Sequence, residues 1–154
     1  MILIIVYLLA VAALATGVVV AGVLGLLPSA LEPLRVVITC AMVGGLGGCV
    51  YCLRGVYLNA SVRKQWDPAR TPWYYIRPLV SIACGAVSYL FLRAGLLVLE
   101  AGQQQNSSDI GFYALAFIAG LNVDKFIAKI EGIAHAAWGI EKSRATVNSE
   151  RDAQ

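Results

Sequence analysis

The sequence predicts an all-α protein, an integral membrane bundle of four transmembrane helices with the fourth extended into an amphipathic cytoplasmic stalk. Three observations predict it. The 154 residues are 59% hydrophobic and only 14% charged, whereas a soluble domain carries about 25% charged residues. Four apolar runs approach or exceed the roughly 20 residues that a helix needs to cross a bilayer's hydrocarbon core. The charges that remain gather at one set of span ends. So few charges cannot cover a water-facing surface, so much of the surface is expected to face lipid.

The first span is expected over about 2–27. It contains no charge, and Pro28 should stop it. A cleaved signal peptide would have a shorter apolar region behind a basic start. No Lys or Arg precedes this run, so a retained span is the reading. The second span, 36–58, holds one charge, Arg54, near its end, and the third, 78–99, holds Arg93. The fourth is apolar from Ile110 to Val123 and is carried on by Phe126, Ile127 and Ile130, giving a span of about 110–130. Asp109 is its expected N-cap. The spans and stalk, residues 1–144, form one domain, and the polar tail 145–154 is expected to be disordered.

No proline interrupts 111–142, so a single helix is expected from about 110 to 143. At 1.5 Å per residue that is roughly 50 Å, longer than the hydrocarbon core of about 30 Å. Past the membrane, Val123, Phe126, Ile130, Ile133, Ala137 and Ile140 recur in steps of three and four, a heptad seam. Asp124, Lys125, Lys129, Glu131, His135 and Lys142 fall off it. The seam has three candidate covers: a sister subunit, a cytoplasmic protein partner, or the inner membrane surface.

Orientation follows from Lys and Arg, which mark cytoplasmic loops. The segment from Arg54 to Arg77 carries Arg54, Arg63, Lys64, Arg70 and Arg77 against Asp67, and the C-terminal part carries Lys125, Lys129, Lys142, Arg144 and Arg151. The two remaining loops offer Arg35 alone, beside Glu32, Glu100 and Asp109. Both termini are therefore expected inside. The aromatic stretch WDPARTPWYYIRP is expected along the inner surface, with Arg63, Lys64, Arg70 and Arg77 contacting anionic lipid headgroups.

Small residues recur on every span: Gly17 and Ala21; Gly44 and Gly48; Ala83, Cys84, Gly85 and Ala86; Ala116 and Gly120. In lipid, helices associate by close backbone approach rather than by apolar exclusion, so these faces predict tight packing. Cys40, Cys49, Cys52 and Cys84 lie inside apolar runs and read as packing residues.

Arg93 is the one charge well inside a span, at a cost of roughly 2.5–3.5 kcal/mol on insertion scales. It can snorkel outward, pair with Glu100, Glu32 or Asp109, or line a pore. Asn122 and Asp124 are expected where the fourth span meets the cytoplasm, level with Arg54 and Arg77, as a structural pair or as the mouth of an oligomeric pore. His135, the only histidine, reads as a solvated residue. No catalytic set, phosphate-cradling loop or metal ligand cluster is visible, so no catalytic residue, metal or cofactor is assigned and no nucleic-acid partner is expected.

The third span, IRPLVSIACGAVSYLFLRAGLL, and the following YALAFIAGLNVDKF resemble a group of small prokaryotic inner-membrane proteins. In these an Arg-Pro opens a Gly-containing span ending in Arg-Ala-Gly, and an Ala-Phe-x-Ala-Gly helix follows. Some are encoded beside stress or anti-phage conflict genes. The resemblance implies a bacterial inner-membrane location and carries no activity with it. Small multidrug transporters also have four spans but rely on a glutamate in the first, and this first span has no charge. The function expected is a self-associating inner-membrane scaffold or membrane-anchoring partner subunit, with an oligomeric ion channel or membrane-permeabilising pore as the alternative.

Overall fold

The computed structural model describes residues 2–62, 71–95 and 109–139. Among them all regular structure is helical: α1 (Ile2–Val23), a 3-10 turn (Ser29–Leu34), α2 (Arg35–Tyr57) running into a π-helical turn (Leu58–Val62), α3 (Thr71–Arg93), α4 (Ile110–Leu121) and α5 (Val123–Trp138). Three helices are long and apolar enough to cross a membrane, and a fourth candidate exists if the broken pair α4–α5 is one span. The chain divides into two compact units, Met1–Val123 and Asp124–Gln154.

α1 ends earlier than Pro28 would dictate. Gly25 takes φ +69°, its N–H donates to the Gly22 carbonyl at 3.3 Å, and the Leu26 N–H reaches back to the Ala21 carbonyl at 2.8 Å. That pair of bonds is a Schellman cap, whose left-handed residue is nearly always glycine. α3 starts seven residues before the expected span because Pro72 falls in its first turn, where a missing N–H costs nothing. Trp73, Tyr74, Tyr75 and Arg77 are therefore helical. Pro78, expected to open the span, is buried inside the helix.

In the first unit α2 is central, packed against α1, α3 and α4. Glycines let it be so. A methyl added at Gly44 would lie 2.6 Å from the Ser81 carbonyl oxygen and 2.7 Å from Gly85 Cα. One added at Gly120 would run into the Gly44 carbonyl, and one at Gly47 would lie 2.8 Å from the Leu121 nitrogen. Backbone meets backbone where α2, α3 and α4 cross. Cys40, Cys49, Cys52 and Cys84 are buried in this packing.

α4 is short. Its 12 residues rise about 18 Å, against about 35 Å for the 23 residues of α2. It packs beside Cys40 and Tyr89 through Ala116 and Phe112, and its last turn lies against Gly44 and Gly47, midway along α2. The continuous helix expected from 110 to 143 is not formed. Asn122 leaves helical dihedrals at φ −119°, ψ 50°, and a new helix begins at Val123.

In the second unit, α5 carries the strongest separation of apolar and polar faces among the described helices. It stops at Gly139, whose φ is +68° and whose N–H donates to the His135 carbonyl at 2.9 Å. That is a left-handed glycine cap, and it ends the helix five residues before the expected limit. The tail 145–154 lies outside the described residues.

Candidate functional site

Two polar features stand out within the apolar first unit. The first is at the end of α4. The last turn of any helix leaves carbonyls without intrahelical donors, and in apolar surroundings each must find one. The Asn122 N–H donates to the Ile118 carbonyl at 3.0 Å. The Ser81 hydroxyl lies 3.0 Å from the Gly120 carbonyl and 2.9 Å from the carbonyl of Arg77 on its own helix. Ser81 is fully buried, so a hydroxyl in the middle of α3 caps the end of α4.

The second feature joins the ends of α2 and α3. Arg77 is only 5% exposed. Its guanidinium carbon lies 4.5 Å from the centroid of the Tyr51 ring and 5.0 Å from that of Trp73, a cation–π arrangement. Around it the Tyr51 and Trp73 rings are 5.7 Å apart. The Tyr74 hydroxyl accepts from Asn59 at 3.1 Å, and the Tyr7 hydroxyl donates to the Tyr75 carbonyl at 3.2 Å. Buried Ile4, Leu8, Cys49, Cys52 and Val56 pack with Tyr74 beneath this cluster.

The sequence-assigned residues fall as follows. Arg77, grouped with headgroup contacts, is buried, its planar cation lying over Tyr51 of α2 and Trp73 of its own helix. Arg63, Lys64 and Arg70 lie outside the described residues. Arg93 is exposed and donates to the Tyr89 hydroxyl at 2.8 Å, one turn back on α3. Glu32, one of its expected acids, pairs with Arg35 at 3.6 Å. Asp109 stands at the N-cap of α4, but its side chain makes no capping bond.

Asn122 is half-buried at the break, and Asp124 is exposed. Asn122 lies nearer the middle of α2 than Arg54 does. The residues before it pack against Gly47, seven positions from Arg54, and against Ser81, a full turn from Arg77. Of the seam, Val123 is buried, and Phe126, Ile130 and Ile133 are half-buried. Ala137 is within α5, while Ile140 lies outside the described residues. His135 is exposed.

Ser81 was missed by sequence reasoning, although a signal existed. Thr39, Ser81 and Ser88 are the serine and threonine residues of the second and third apolar runs, and all three are fully buried. Thr39 and Ser88 donate to carbonyls of their own helices, Arg35 at 2.8 Å and Gly85 at 2.7 Å. Ser81 also reaches across to a backbone carbonyl of another helix, that of Gly120. Comparison of the chain with protein-family models, with curated proteins and with solved structures finds no match.

Proposed function

We propose that this chain is a non-catalytic, multi-pass protein of a bacterial inner membrane, with both termini cytoplasmic, that self-associates as a scaffold or membrane-anchoring subunit. The observation that carries the reading is how the small-residue faces are used. Gly44, Gly47, Gly48, Gly85 and Gly120 are all consumed in contacts within the chain. α5 has a one-sided apolar face on which Ile127 is exposed and Phe126, Ile130 and Ile133 are half-buried, of the kind that can take a second surface. Arg93 supports the same reading, since a hydroxyl partner on its own helix and an exposed position suit a snorkelling cation rather than a pore lining.

One observation favours a second reading, an oligomeric ion-conducting or membrane-permeabilising pore. α4 stops midway along α2 and α3. Non-helical backbone at membrane depth is tolerated only where protein or water covers it, and a shared water-filled axis at Asn122 is one such cover.

Reconstitution into lipid nanodiscs and into liposomes tests both. A particle mass of several copies, with no ion flux across loaded liposomes, is the expected result. Flux that depends on Asn122 transfers the case to the pore. A single copy per nanodisc at every protein concentration defeats both. The orientation has its own check. In a cysteine-free background, cysteine at Ser107 reacts with an impermeant thiol reagent in intact cells, and cysteine at Ser61 does not. The reverse pattern would invert the topology.

A further inference from the structure

The first unit marks the level of the bilayer's middle. The central residues of α2 and α3 are Leu46 and Ile82, and they are level: a methyl on Gly45 would lie 2.6 Å from the Ile82 side chain. α2 and α3 run antiparallel, Gly44 meeting Gly85 and Gly48 meeting Pro78. At 1.5 Å per residue, Arg35 and Arg93 stand about 16 Å to one side of this level and Arg54 about 12 Å to the other. These distances match the half-thickness of about 15 Å of a hydrocarbon core.

α4 starts on the side of Arg35 and Arg93, beside Cys40 and Tyr89, and ends at the middle. Gly120 lies against Gly44 and Leu121 against Gly47. Residues 110–123 carry no charge, whereas the next eight carry four: Asp124, Lys125, Lys129 and Glu131. Three Cα steps join Leu121 to Asp124, and at 3.8 Å each they span at most about 11 Å. The true distance is shorter, because Val123 already opens a helix. In whatever direction α5 runs, the backbone of Asp124 therefore stays within the hydrocarbon layer.

Asp124 is exposed on this chain, as is Lys125 beside it. A lysine can carry its charge to the headgroups along its own stem; an aspartate, with one methylene, cannot. Lipid, a second copy or water can surround that exposed surface. Lipid brings the penalty of any intramembrane charge. A second copy would have to offer partners on two sides, since Asp124 and Lys125 leave the helix about 100° apart. Water serves both directions, and does so whether or not Asp124 also has an ion partner in its own chain.

We infer that a blind, water-filled vestibule enters from the cytoplasmic side and ends at Asp124, inside the bilayer. α4 fills the outer half of the face that α2 and α3 present, and the backbone approach of Gly44, Gly85 and Gly120 closes that half. The charges begin where α4 ends, so water comes from the inner side. This rests on membrane insertion and on the proposed orientation, not on self-association. It differs from a pore in being closed outward.

The test uses the full chain in cells and in inside-out vesicles, with Cys40, Cys49, Cys52 and Cys84 changed to Ala. If that background does not extract as folded protein, the native one serves, its buried thiols setting the baseline. Asp124→Cys and Lys125→Cys are each treated with a charged, membrane-impermeant methanethiosulfonate. Leu79→Cys is the lipid-facing control, because Leu79 is 60% exposed near the middle of α3. Only a thiolate reacts and apolar surroundings keep a thiol protonated, so both new cysteines should react at least about tenfold faster than the control in inside-out vesicles. In intact cells none of the three should react. Lys125→Cys keeps the carboxylate, so its rate decides if the two differ. A rate at position 125 equal to that of Leu79→Cys overturns the vestibule, and a disulfide between two Lys125→Cys chains would then identify a second copy as the cover. Labelling in intact cells overturns a path closed outward. Fast labelling of Leu79→Cys overturns the membrane reading itself, and the vestibule with it.

Discussion

α1 and α2 are nearly equal in length, 22 and 23 residues, and they pack side by side, yet they are held in opposite ways. In the most apolar stretch of α1 only 17% of residues are buried inside the protein; in the stretch containing α2 the figure is 56%. The residues α1 buries form one narrow stripe, Ile4, Leu8, Ala15 and Gly22. Those of α2 are small and lie on several sides: Thr39, Cys40, Ala41, four glycines, Cys49 and Cys52 among them. The more apolar helix is the less buried one. In water that ordering would be absurd, since burial follows apolarity. Where the solvent is itself apolar, burial follows the closeness of backbone approach, and side-chain size decides it.

The sharpest way to break this comparison is at Gly120. A valine there drives its branched carbon into the Gly44 carbonyl, backbone against backbone with no flexible atom to yield. We expect a loss of stability at or above the upper end of the roughly 1–3 kcal/mol typical of overpacking, read as a fall in the thermal midpoint of detergent-purified protein. A Gly120→Val variant that melts with the native protein would mean that the node is not what holds α2, α3 and α4 together.

Ser81→Ala is next in size. It removes the hydroxyl that serves the Gly120 carbonyl and leaves that acceptor buried, at a cost of about 1–3 kcal/mol. Ser81→Thr, which keeps the hydroxyl, should lose less than Ser81→Ala if the bond matters more than the space. The opposite ranking would refer the effect to packing alone.

Arg77→Lys keeps the charge and discards the planar guanidinium that lies over both Tyr51 and Trp73. A loss of about 0.5–2 kcal/mol is expected, with a changed Trp73 emission in the folded state, best measured with the protein's other tryptophans replaced by Phe. An unchanged melting point and spectrum would show that any cation suffices there.

The smallest effect should come from Gly17→Ala on α1. A methyl there meets nothing within 4 Å, so the change should be neutral or stabilising by up to about 1 kcal/mol, the propensity difference between the two residues. A large loss would mean that Gly17 touches a second helix after all, and α1 would then no longer contrast with α2.

Much of this architecture was legible beforehand. The first three apolar runs are helices, α2 within one residue of its expected limits while α1 stops early and α3 starts early, and Gly44, Gly85, Ala116 and Gly120, picked out by size alone, are residues on which the helices converge. What escaped were features decided between helices rather than along one. Nothing in 110–143 forbids a continuous helix: the apolar period survives across Asn122 and no proline intervenes. The break sits where Gly120 is drawn onto the Gly44 backbone and its carbonyl meets Ser81, and one-dimensional periodicity carries no record of that contact. Arg77 escaped for a related reason. Counting basic residues along a loop assigns a side of the membrane but cannot detect that Tyr51, 26 positions earlier, will close over one of them. The early stops at Gly25 and Gly139 were available in the sequence as glycines at the ends of apolar runs, and were outweighed by Pro28 and by the seam.

α4 also has something to say about time. Its end rests on a serine made 39 residues earlier, and its last turn rests on a glycine surface made earlier still. A helix of about 18 Å is too short to be settled in a bilayer by its own apolarity, so in the membrane setting proposed above it has no stable address until α2 and α3 stand together. Synthesis runs in the favourable direction: the groove is finished before the helix that fills it leaves the ribosome. A circular permutation that put α4 first would keep every contact of the finished protein and remove that advantage, leaving a short, unsatisfied helix waiting in the membrane for its own receptor to be made.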